Sequence, residues 1–116
     1  MDTGNEVYNA LLITLPSCIK WEDYEKELRL AEDESQIMNF KVPFLPKCTK
    51  NIERVYLIHL GYIVGWQKFI GVDIKKFKCT TTGTEWNGKF IQRTGKFHKI
   101  DPIPHKGFRG FRYYKF

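Results

Sequence analysis

The densest group of chemistry-bearing side chains lies in the last third of the chain. There Lys89, Phe90, Arg93, Lys96, Phe97, His98, Lys99, His105, Lys106, Phe108, Arg109, Phe111, Arg112, Tyr113 and Tyr114 interleave cations with rings. Single-stranded or flipped-out nucleic acid requires this mixture: Lys and Arg neutralise phosphates while an aromatic face stacks a base, at about 1–3 kcal/mol per base. In HKGFRGFRYY, Gly107 and Gly110 let backbone amides approach a phosphate. Arg109 and Arg112, three apart, face opposite sides of a strand unless Gly110 bends the chain. Trp66, directly after Gly65, and Trp86, in a turn-like stretch, add two further stacking candidates, as does Tyr62 beside Gly61. The competing reading makes Phe108, Phe111 and Tyr113 inward residues of a closing strand whose cations merely face water.

Catalytic chemistry has little to stand on. Thr80, Thr81, Thr82 and Glu85 place hydroxyls near a carboxylate, and His59 sits on an apolar stretch, where it reads as a hydrogen-bonded, half-buried histidine. No nucleophile elbow, zinc-helix motif, phosphate loop or dinucleotide fingerprint occurs. Cys18, Cys48 and Cys79 are scattered without a C-x-x-C pair and read as reduced thiols, at least some of them packed as small hydrophobes. Their spacing with His59, His98 and His105 suits no metal, so no cofactor is expected.

Charge separates along the chain. Residues 1–54 hold seven Lys/Arg against ten Asp/Glu, whereas residues 55–116 hold twelve against three, a net of +9. That asymmetry points to a surface for a polyanion or, more plainly, to a solvated basic face. The opening MDTGNEVYNALLITLP lacks a basic n-region, and no apolar run approaches the ~18–20 residues of a membrane span. A cytoplasmic location and no membrane partner are expected.

The elements that must position these residues are organised around Val55–Ile74, VYLIHLGYIVGWQKFIGVDI. Val55, Leu57 and His59 alternate with Tyr56, Ile58 and Leu60, giving a strand with a side chain to each face in turn. Gly61 suits a tight turn, and the following strand is kinked at Gly65. Before it, Val7–Leu15 reads as a first strand and Met38–Val42 as another. Between them Trp21–Glu34 reads as a helix, with Trp21, Tyr24, Leu28 and Ala31 on one apolar face and Glu22–Lys26 and Glu25–Arg29 as i,i+4 pairs. Lys75–Thr82 and Lys89–Phe97 read as strands joined through an Asn87-Gly88 hairpin turn, and Pro102 and Pro104 mark an exposed crossing before a final aromatic strand. The 116 residues form one domain, 1–116, of β-dominated α+β class. Strands bent by glycine and apolar on both faces predict a small mixed β-barrel with the helix over one opening.

Val55, Tyr56, Leu57, Ile58, Gly61, Ile63, Gly65, Ile70, Gly71 and Val72 resemble the strand–turn–strand unit of the PUA-like superfamily, which includes ASCH and EVE domains. The resemblance implies a pseudobarrel and, as for many such domains, RNA binding. EVE domains read modified bases in DNA, and a few ASCH proteins hydrolyse acylated cytidine nucleosides. Those hydrolases share a Gly-x-Lys-x-Thr signature after the first helix, where this chain has ESQIMNFKVP, so the enzymatic role is not implied. The resulting expectation is a nucleic-acid-binding module, RNA favoured over DNA, acting through Tyr62, Trp66, Trp86, Lys89, Arg93, Lys96, His105, Lys106, Arg109, Arg112 and Tyr113. A small hydrolase acting on a modified nucleoside and a protein–protein adaptor stay open as alternatives.

Overall fold

The computed structural model describes residues 8–33, 37–47, 49–78 and 85–116, with 75–78, 85–87 and 95 as backbone alone. The elements run β1 (Ala10–Thr14), α1 (Trp21–Asp33), β2 (Ile37–Val42), β3 (Arg54–His59), β4 (Tyr62–Lys78), β5 (Glu85–Pro104) and β6 (Phe111–Tyr114). The expected β-dominated α+β architecture is therefore present. The start of the expected first strand at Val7, the helix end at Glu34, Cys48, Cys79 and the Thr80–Thr82 run lie outside the described residues.

All six strands join one sheet in the order β2-β5-β4-β3-β1-β6. β1 and β3 run parallel, so the chain must cross over between them, and α1 and β2 make that crossover. The other pairs are antiparallel. β3 turns into β4 through Leu60 (φ 49°) and Gly61 (φ 84°), the two positive-φ positions of a type I′ hairpin, which matches the twist of the flanking strands. β4 bends where its register shifts, at Ile63/Gly65, Trp66/Lys68 and Phe69/Gly71. Gly65 is required there: a methyl group at its Cα would collide with the Phe97 ring and the His98 carbonyl oxygen.

The central strands are apolar on both faces, and each face has its own core. Leu11, Ile13, Val55, Leu57 and Ile91 point inward with Leu15, Val42 and Ile52, and α1 covers them with Tyr24 and Leu28. That helical face is the one its apolar spacing predicts, with Tyr24, Leu28 and Ala31 all buried. Of the two expected i,i+4 pairs, Glu25–Arg29 forms at 3.8 Å. On the reverse face Ala10, Leu12, Tyr56, Ile58 and Ile63 pack with Trp66, Ile100, Phe108 and Tyr114.

The predicted barrel is not closed by hydrogen bonds: β2 and β6 are the two edges of the sheet and do not pair. The sheet nevertheless curls until the chain after β2 meets β6, with Phe44 edge-on to Phe111 at 5.3 Å and the Lys47 N–H donating to the Tyr113 hydroxyl at 3.0 Å. Pro43, beside Gly110, has no N–H to offer across this seam. Side chains close what the backbone leaves open.

Three further expectations change. Lys75–Lys78 continue β4 rather than forming a separate strand. Asn87 and Gly88 lie within β5, opposite Lys76 and Lys75, because a turn there would forfeit the pairing that runs on to Lys78 and Glu85. Pro102 and Pro104 end β5 instead of crossing. Beyond Thr94 that strand has no β2 neighbour, so a missing proline N–H costs no ladder bond on the open side.

Candidate nucleic-acid interface

Cross-strand register assembles the site. Arg112, Leu12, Tyr56, Trp66 and His98 are successive partners on β6, β1, β3, β4 and β5, and partnered residues share a face of the sheet. One row of side chains thus crosses five strands on the face away from α1. Arg54 and Tyr114, two residues along from Tyr56 and Arg112, point the same way.

Within this row the rings and cations form a stack. The Trp66 indole lies against the His98 imidazole at 3.9 Å and 11°, and the Arg54 guanidinium sits 3.9 Å from the Trp66 ring centre. Arg54 is also 3.9 Å from the Phe116 ring, so it lies between two aromatic groups, and its Nη1 donates to the Tyr56 hydroxyl at 3.0 Å. Tyr56 meets the Tyr114 ring edge-on at 5.3 Å. Asn9 holds the end of the stack, accepting from the Phe116 N–H at 2.9 Å. A short distance along β6, Arg112 lies over Phe108 at 4.6 Å. The stack keeps solvent contact: Phe116 is 44% exposed, and His98 is half-buried.

Charge around the stack is one-sided. Lys68, Lys96 and Arg112 are exposed on this face, and the one ion pair among the described residues is Glu25–Arg29, on α1. The His98 imidazole is held below its ordinary pKa, first by desolvation and then by the charges of Lys96 and Arg54, with Glu32 opposing. It is therefore a neutral ring at neutral pH, available for stacking rather than repelled by its neighbours.

The sequence-predicted residues separate into groups. Trp66, Lys96 and Arg112 come together on this face. His105 and Lys106 follow β5, with His105 edge-on to Phe108 at 6.0 Å. Tyr62 is exposed at the β3–β4 turn. Arg109 lines a groove of about 780 Å³ with Thr14, Ser17, Cys18, Leu60 and Phe108. The Phe108 amide there is already bonded to the Thr14 hydroxyl at 3.2 Å, so it is not the free phosphate donor expected beside Gly107. Lys89 is nine residues from His98 along β5, about 30 Å away. Trp86 lies farther still in β5; its side chain is outside the described residues.

Two residues do not belong to this face. Arg93, expected to contact nucleic acid, is 2% exposed in the interior, where its strand face packs beneath α1. Tyr113 alternates to the inner face with Phe111, because their partners are Leu11 and Ile13. His59 is more deeply buried than expected, its Nε2–H donating to the Ile19 carbonyl at 2.9 Å. Cys18 is an exposed free thiol.

Arg54, Tyr56 and Phe116 were missed as site residues. Arg54 reads as the end of a polar loop, but it shares its strand parity with Tyr56, and that alternation was the available signal. No described cluster of three His, Cys, Asp or Glu could hold a metal, and no described helix is long and apolar enough to cross a membrane. The 780 Å³ groove offers hydroxyl and thiol groups without a histidine or carboxylate in its lining to act as base. No family model, curated protein or solved structure matches the chain.

Proposed function

We propose that the chain is a PUA-like module that binds single-stranded nucleic acid, RNA favoured over DNA, on the sheet face away from α1. The observation that carries this reading is the stack of His98, Trp66, Arg54 and Phe116, flanked by cations that no acidic side chain among the described residues pairs with. Stacked rings already ordered by the fold add a base without paying to immobilise themselves. Lys68, Lys96 and Arg112 supply the phosphate contacts. RNA is favoured because proteins read it chiefly through unstacked bases in single-stranded segments, which a flat aromatic–cation face accepts and a duplex withholds.

Binding of the whole chain to single-stranded RNA, duplex RNA and duplex DNA across a salt series tests this. Three phosphate contacts predict a log–log salt slope of about −2 on the single strand, with a preference for it that survives physiological salt. Equal, weak binding that vanishes for all three polymers would reduce the cations to a solvated face. Salt-insensitive association with protein would instead favour an adaptor using the exposed Leu60, Tyr62 and Ile103.

A further inference from the structure

Beneath α1, on the opposite side of the sheet from the stack, lies a polar cluster that the proposed function does not use. Arg93 is 2% exposed, and no carboxylate among the described residues pairs with it. Its Nε donates to the Gln67 side-chain oxygen at 2.6 Å, and its Nη2 donates to the Tyr24 hydroxyl oxygen. Gln67 is 0% exposed, and its amide nitrogen turns to the Thr94 carbonyl at 3.3 Å and the Met38 sulfur at 3.5 Å. The Arg93 Nη1 has no hydrogen-bond partner. Tyr24 spends its oxygen as acceptor for Arg93, and no described acceptor takes its O–H proton.

The local count is one-sided. Arg93 brings five N–H donors and no acceptor, and Tyr24 adds an O–H, so the cluster has surplus donors and a buried positive charge. An isolated guanidinium in such a place costs several kcal/mol unless something compensates it. We propose that Arg93 and Tyr24 bind a small oxyanion, a carboxylate or phosphate group, which accepts from Nη1 and from the Tyr24 O–H. Burial raises the phenol pKa above its ordinary value against the lowering effect of Arg93, which keeps the hydroxyl protonated as a donor. A surface pocket of about 280 Å³ is lined by Tyr24 with Ile19, Lys20, Asp23 and Glu27. The buried position of Arg93 and Tyr24 admits only a small anion, and the site is distinct from the nucleic-acid face.

The test is calorimetric titration of the full chain with inorganic phosphate and, separately, with acetate, at constant ionic strength set by chloride. Thermal unfolding is followed alongside. The proposal expects saturable binding of at least one anion, with a matching saturable rise in Tm; the stronger arm says whether phosphate or carboxylate is the preferred group. Arg93→Met removes the guanidinium donors and should abolish the response. Tyr24→Phe keeps the ring and its packing and should weaken binding about tenfold. No saturable binding, or equal Tm rises in wild type and Arg93→Met, would overturn the site and leave a guanidinium satisfied by water. If Arg93→Met does not fold, an undiminished response in Tyr24→Phe overturns it instead.

Discussion

Arg54 and His98 show how a single side chain can be spent on structure and recognition together. Arg54 is held between Trp66 and Phe116 and tied to Tyr56, so its charge is fixed in place before any ligand arrives. His98 carries a titration signature. Because its folded pKa lies below the unfolded value, the unfolded chain binds more protons in that window, and its contribution to stability is lost as pH falls. Urea midpoints of the wild type should therefore fall between about pH 7 and pH 5, and His98→Gln should remove part of that fall. Gly65 makes the opposite kind of contribution, through the absence of a side chain. Gly65→Ala drives a methyl into the Phe97 ring and a backbone oxygen, and should cost about 2–3 kcal/mol in denaturant unfolding. Leu60, at φ 49° and 63% exposed, is strained for no packing return, so Leu60→Asn should stabilise by about 1 kcal/mol in the same assay.

At the scale of elements, the hairpin of β3 and β4 does most to build the site. Its positive-φ turn fixes the register that puts Tyr56 opposite Trp66, and a one-residue slip would send Trp66 to the wrong face. This much was legible in the sequence: the alternation of Val55–Leu60, the turn at Gly61 and the kink at Gly65 all lie where residue type requires them. The α1 face was legible for the same reason, since Tyr24, Leu28 and Ala31 recur at helical spacing. What was not legible depends on partners distant in the chain. Arg93 looks like any cation of the basic third until β5 is placed under α1. Tyr113 and Tyr114 look alike until pairing with β1 sends one inward and the other outward. Asn87-Gly88 carries a strong local turn signal, which the longer pairing of β4 with β5 overrides.

Across the whole molecule, the sheet curls without closing, and charge divides with the architecture. The acidic residues Glu22, Asp23, Glu27, Glu32 and Asp33 lie exposed on α1, while the exposed cations Lys68, Lys96 and Arg112 surround the stack. A polyanion approaching such a molecule is turned toward the sheet face and away from the helix. In the proposed reading the two faces also separate two roles: a solvent-facing stack for bases, and a buried guanidinium cluster for a small anion. Both depend on β4 and β5, whose continuous pairing spans much of the 52 Å long axis. The central claim concerns the stack, and the affinity of Trp66→Ala for single-stranded RNA at physiological salt tests it most directly. With folding confirmed by an unchanged far-UV spectrum, the account predicts a loss of about 10-fold or more, because the indole that holds the His98 ring and the Arg54 guanidinium in place is gone. Affinity equal to that of the wild type would contradict it, because the row of side chains on this face would then play no part in binding.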